Sequence, residues 1–215
     1  MSELCTTQEL LEETSIRRLV IRLGVPAMFG QFFNILYNIV DRIFVGRIPG
    51  TGEISLASIG VCAPALTAVT AFAFMVGIGG SSYMSINLGQ RNQHRAQEVI
   101  GNAFLMLLVI SVFVTAILLR NREQILYLLG CSKAMYPYAE TYFIIYICGS
   151  LAALCGSGLN QFILAQGFAR QGMLAVVIGA VANVILDPLL IFACGMGIAG
   201  AAWGTVFSQC CTFAY

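Results

Sequence analysis

Charge is scarce in this chain. Lys, Arg, Asp and Glu make up 10 % of its 215 residues, against about 25 % in a typical soluble domain. So few charges cannot cover a water-facing surface, which excludes a soluble globular fold. What charge there is nearly balances, at a net +1, so neither nucleic acid nor an acidic partner is expected. Histidine is reduced to His94, set among Arg91, Asn92, Gln93 and Arg95. Neither a Ser-His-Asp arrangement nor a metal cluster can be drawn around it. The eight cysteines contain no C-x-x-C pair, and most lie in apolar runs, where Cys acts as a small hydrophobe. Without a nucleophile–base pair or a metal set, the chain reads as no enzyme and as needing no cofactor. The first fifteen residues, MSELCTTQELLEETS, are acidic and lack the pattern of a cleavable signal. Insertion is therefore expected to use the first membrane span.

Apolar residues are abundant, at 59 %, and the mean hydropathy is +0.86. The expected fold is all-α, a polytopic membrane bundle of six helices in one lobe. The spans read as 19–46, 55–85, 99–119, 138–164, 173–193 and 201–215. The sixth is incomplete, since about twenty residues are needed to cross a bilayer. Residues 1–16 read as a cytoplasmic tail and 17–215 as the lobe. A short helix over 4–13, with Thr6 and Glu9 at capping-box spacing, competes there with a solvated tail. The third span has hardly any polar side chain and is expected to face lipid. Gly77, Gly79 and Gly80, with Ser81 and Ser82, allow close helix approach in the second. With the N-terminus inside, Arg17, Arg18, Arg22, Arg91, Arg95 and Arg170 are cytoplasmic, and Arg47, Arg120, Arg122 and Lys133 are outside. That bias favours a multi-pass protein of the cell membrane with a cytoplasmic N-terminus.

The first span carries a polar stripe. Gln31, Asn34, Asn38 and Asp41 fall within one sector of about 80° on a helix. A membrane helix with such a stripe, ending in an acid, lines a cavity or an ion path by default. The blander reading is that the stripe glues helices together and Asp41 pairs with Arg42 or Arg47 at the membrane edge. Tyr37, beside the stripe, is the aromatic best placed to touch a bound organic molecule. The fifth span adds Asn183 and Asp187, four apart and on one face. Pro188 follows the acid and frees the Val184 carbonyl. With Asp41, these oxygens would suit Na⁺ or a proton. The alternative is two helices joined by Asn–Asp hydrogen bonds. Asn38, one turn from Asp41, is expected to orient it. Thr205 reads on spacing alone as bonding back to its own helix. Gly200 and Gly204 read as a helix-packing face, and Glu140 as a helix-start acid.

Several motifs together resemble one family. They are Pro26 with Y37-N-I-V-D41-R-I-F-V-G46, L56-A-S-I-G-V, G89-Q-R-N, Q166-G-F-A-R-Q-G172, N183-V-I-L-D187-P-L-L-I-F and G197-I-A-G-A-A-W-G-T205. In that order they resemble the MATE (multidrug and toxic compound extrusion) transporters over nearly the whole chain. The resemblance implies two six-helix lobes around a cavity, of which this chain looks like the N-terminal one. It implies a Na⁺- or H⁺-coupled antiporter that expels drugs or organic cations. It also implies an N-lobe cation site on Asp41, Asn183, Asp187 and Thr205, with Gln31, Asn34, Tyr37 and Asn38 lining the substrate cavity. The partners so implied are a small molecule, the bilayer and the missing C-terminal lobe. Two alternatives stand beside it: a non-transporting half-protein or scaffold, and a lipid-linked oligosaccharide flippase of the same superfamily.

Overall fold

The computed structural model describes residues 16–215. The short helix expected over 4–13, and the tail apart from its last residue, lie outside the described residues. Every element within them is helical: α1 (Ile16–Gly46), α2 (Gly52–Gly89), α3 (Gln93–Arg120), α4 (Arg122–Leu128), α5 (Tyr136–Cys148), α6 (Ser150–Ala165), α7 (Ala169–Pro188) and α8 (Ile198–Ala214). A π-helical turn, Leu189–Ala193, extends α7.

The long helices follow from composition. A backbone in lipid must satisfy its own hydrogen bonds, and an apolar run of sufficient length does so as a helix. α2, α3 and α7 with its extension are long and apolar enough to cross a membrane. α5 and α6 qualify together as one broken span, bent by 54°. The break falls at Gly149, which closes α5 and opens α6. Pro26 and Pro64 sit inside α1 and α2 without interrupting them. Pro188 does end the regular α-helix, and the chain continues as the π turn, whose Cys194 N–H bonds the Leu189 carbonyl at 2.9 Å.

Glycine sets how closely the helices cross. A Cβ on Gly77 of α2 would stand 2.7 Å from the Gly158 carbonyl oxygen of α6, and one on Gly158 would meet Leu107 of α3 at 2.7 Å. Gly80 leaves room for the Phe162 ring. Gly79 has open space around it, so only part of the small-residue cluster serves packing. α3 buries Ala96, Ala103, Leu107 and Ser111 and exposes Leu105, Val112, Phe113 and Ile117, as a lipid-facing helix should. Its inner face is more polar than its sequence suggested. Ser111 and Thr115 lie 3.4 and 2.7 Å from the Ser150 hydroxyl at the start of α6.

Glu140 is not a helix-start acid. It lies one turn inside α5 and accepts a 2.6 Å hydrogen bond from Arg122 Nε at the start of α4. That carboxylate holds the Arg122 guanidinium above its usual range. The pair ties the α4 loop to the bundle, helped by Tyr127 stacked on Tyr136 at 5.3 Å.

Candidate functional site

α1 packs chiefly on α7, and α7 on α8. This order brings the polar stripe of the first span to the acid of the fifth and the hydroxyl of the sixth. Gln31, Asn34, Tyr37, Asn38 and Asp41 all line one cavity of about 450 Å³. Across from them the wall is built by Tyr142 and Tyr146 of α5, Asn160 and Gln161 of α6, and Thr205 and Gln209 of α8. Thr67 and Thr70 of α2 complete it.

The acids meet at the edge of this cavity: Asp41 lines it, and Asn183 and Asp187 lie behind it, outside its lining. Asp41 is 7 % exposed, and Asn183 and Asp187 are fully buried. The Asp41 and Asp187 carboxyl groups are close enough to influence each other. Asn183 Nδ2 donates to Asp187 Oδ1 at 3.1 Å. Three buried oxygens of this cluster have no protein donor: Asp41 Oδ1, Asn183 Oδ1 and Asp187 Oδ2. Buried acceptors normally find a partner, and orphans gathered in one place are what a cation or a proton satisfies. Asp41 forms no ion pair with Arg42 or Arg47 among the described residues, so the membrane-edge pairing does not occur there. Arg42 is exposed and lines the cavity. No group of three His, Cys, Asp or Glu side chains able to hold a metal comes together among the described residues. Two carboxylates and an amide are hard oxygen donors, which suit a hard cation such as Na⁺, or a proton.

One orientation differs from expectation and one matches its spacing. Asn38 does not orient Asp41: its Nδ2 donates backward to the Asn34 carbonyl at 2.7 Å and lies 3.3 Å from Asn34 Oδ1. An exposed amide finds the helix's own carbonyl four residues back before it finds a carboxylate turned into the bundle. Thr205 Oγ1 donates to the Ala201 carbonyl at 3.0 Å, as its spacing suggests. It nonetheless sits on the cavity wall, 7 % exposed, with the Tyr142 hydroxyl beside it.

Gly204 was legible only as packing, and it does more. The Asp187 carboxylate occupies the space that a Cβ on Gly204 would take. Gly200 seats the Leu190 backbone one turn earlier, where a Cβ would be 2.7 Å from its carbonyl carbon. Gln209 escaped the sequence reading altogether. Its Nε2 donates to Tyr146 Oη at 3.1 Å, and its Oε1 is buried without a partner. The available signal was the spacing of Thr205, Ser208, Gln209 and Thr212, which puts four polar side chains on one face of α8.

A helical membrane bundle with a polar cavity and paired acids at its edge has the build of a transporter. The chain belongs to the MatE family, whose model matches residues 26–189. It is 28 % identical to the multidrug export protein MepA of Staphylococcus haemolyticus over 92 % of this chain and 43 % of that protein. It is 27 % identical to an FAD transporter of Shewanella oneidensis, over 90 % of this chain and 43 % of the relative. Among solved structures it is similar to MATE in the bent conformation, with a TM-score of 0.84 and 28 % identity over 91 % of this chain and 43 % of that one. The chain thus spans about half the length of the relatives it matches, as one lobe of a two-lobe transporter does.

Proposed function

We propose that the chain forms the cation-coupled lobe of a multidrug exporter, a Na⁺- or H⁺-driven antiporter of organic compounds in the cell membrane. The observation that carries this is the meeting of Asp41, Asn183 and Asp187 with one unpartnered oxygen each. Two neighbouring carboxylates buried inside a membrane repel, and a proton or a monovalent cation between them removes the repulsion. Its arrival and departure give the lobe two electrostatic states. Transport follows if the exported compound binds those states with different affinity. Gln31, Asn34, Tyr37 and Asn38 supply amide and phenol groups to hold the compound, and Thr205 with Tyr142 joins the acids to that cavity.

The flippase alternative expects several cationic side chains in the cavity, and its wall holds Arg42 beside Asp41 and a majority of amides and hydroxyls. The acid site therefore favours the exporter. In proteoliposomes with the complementary lobe supplied, Asp41→Asn and Asp187→Asn should each abolish gradient-driven efflux of a fluorescent organic cation. Undiminished efflux in both variants would sink the site assignment.

A further inference from the structure

Three consecutive residues of α8 touch three separate parts of the lobe. Gly204 lies against the Asp187 carboxylate. Thr205 lines the cavity beside Tyr142. Val206, 7 % exposed, fills a notch at Gly149, where a Cβ would stand 2.5 Å from Val206 Cγ2 and 2.7 Å from Cγ1. Successive helical residues turn by about 100°, so one turn can serve all three places at once.

The notch is the break between α5 and α6. Tyr146, just before it, bonds Gln209. Gly149, at the break itself, meets Val206, three residues earlier on α8 than Gln209. The 54° bend thus folds two successive stretches of chain onto the same turn of α8. From the opposite side α3 holds the bend: Thr115 Oγ1 donates to the Ile147 carbonyl at 3.3 Å and lies 2.7 Å from Ser150 Oγ. Tyr142 and Tyr146 stand on the arm that this bend aims at the cavity. Close-packed interiors pass displacement on rather than absorbing it, and neither contact of this turn leaves slack. A shift of the Asp187 carboxylate presses on the Gly204 backbone, and α8 cannot move there without moving Val206 in the notch.

We propose that residues 204–206 are the coupling element of the lobe: Val206, seated on Gly149, passes the state of the acid pair to the α5–α6 bend and so to the tyrosines of the cavity wall. Val206 is a positioning residue, touching neither cation nor compound. The proposal rests on the acid pair being the coupling-cation site.

The test uses the chain in lipid nanodiscs with the complementary lobe supplied, and ethidium as the probe. Its dissociation constant is measured with the site loaded (Na⁺, or low pH) and unloaded (choline, high pH). Coupled sites typically shift each other's affinity by about 5- to 150-fold, and the shift is reciprocal. Val206→Ala empties the notch, and the loaded-to-unloaded ratio should fall to about twofold or less while cation binding and ethidium binding each persist. The Gly149→Ala/Val206→Ala pair refills the notch from the other side and should recover the ratio. Gly149→Ala alone crowds Val206; if it does not fold, the other two variants still decide. A wild-type ratio retained in Val206→Ala overturns the proposal. So does a Val206→Ala chain that loses both affinities along with the ratio, or a double variant that recovers nothing. A wild-type ratio of one, or no ethidium binding by the wild type, overturns the cation-coupling reading itself and the proposal with it.

Discussion

Gly204 leaves room for a carboxylate, and that makes it as much a part of the acid site as the acids. Any side chain there would meet Asp187. Supports of a cation's ligands, when altered, typically cost 10- to 100-fold in affinity, so Gly204→Ala should weaken Na⁺ or proton binding by about tenfold or more. Isothermal titration of Na⁺, or a shifted pH midpoint of ethidium binding, checks this; unchanged values would leave Gly204 with packing alone. At this scale the sequence was legible where chemistry follows spacing. Gln31, Asn34, Asn38 and Asp41 share a helix face by arithmetic and line one cavity; Asn183 and Asp187 likewise share a face, which the fold brings to the stripe only at Asp41. What spacing cannot show is which way a side chain turns once helices cross. Asn38 turned back to Asn34. Tyr142 and Tyr146 became part of the wall because α5 presents them to the cavity, and Gln209 because α8 is rotated to present it.

The helices themselves lie where the apolar runs are, because length and hydropathy decide a membrane helix almost alone. Their irregularities were harder to read. Pro26, Pro64 and Pro188 sit inside helices, yet only Pro188 changes the helix type, while the bend of the broken span falls at Gly149, one glycine among twenty-two. Glycine is common in membrane helices, so nothing local distinguishes the one that breaks. The bend is a tertiary outcome, set by Val206 on one side and by the Thr115–Ser150 contact on the other. Hydroxyl bonds between membrane helices average about 0.6 kcal/mol. Thr115→Val should accordingly lower the unfolding midpoint in detergent only slightly. Gly77→Val, which drives a branched side chain into the Gly158 backbone, should lower it far more, since neither backbone can yield. Equal losses in the two variants would mean that the α2–α6 crossing is looser than its distances indicate.

Across the whole lobe, the direction of insertion follows from counting traverses and positive charges. With α5 and α6 taken as one broken span, the expected six traverses are α1, α2, α3, α5–α6, α7 and α8; among the described residues α2, α3, α7 with its extension and the bent pair are long and apolar enough to cross. The loop after α2 then shares a side with the N-terminus, and the loop after α3 lies opposite. The charge bias alone is narrow, since four cations stand on the outer side. One of these, Arg122, is held by Glu140, so it is spoken for in the folded loop. Arg91 and Arg95 carry no ion pair among the described residues and stay exposed, where they can meet the anionic surface of a cytoplasmic leaflet. The expected orientation therefore has the α2–α3 connection inside and the α4–α5 connection outside. His94 and Ser132 are both exposed and serve as reporters. In a background with the native cysteines replaced, Ser132→Cys should react with a membrane-impermeant maleimide on intact cells. His94→Cys should react only after the cells are permeabilised. The reverse pattern would turn the lobe over and place the acid pair's access path on the other face of the membrane. Labelling of both sites on intact cells would show that the chain inserts in two orientations.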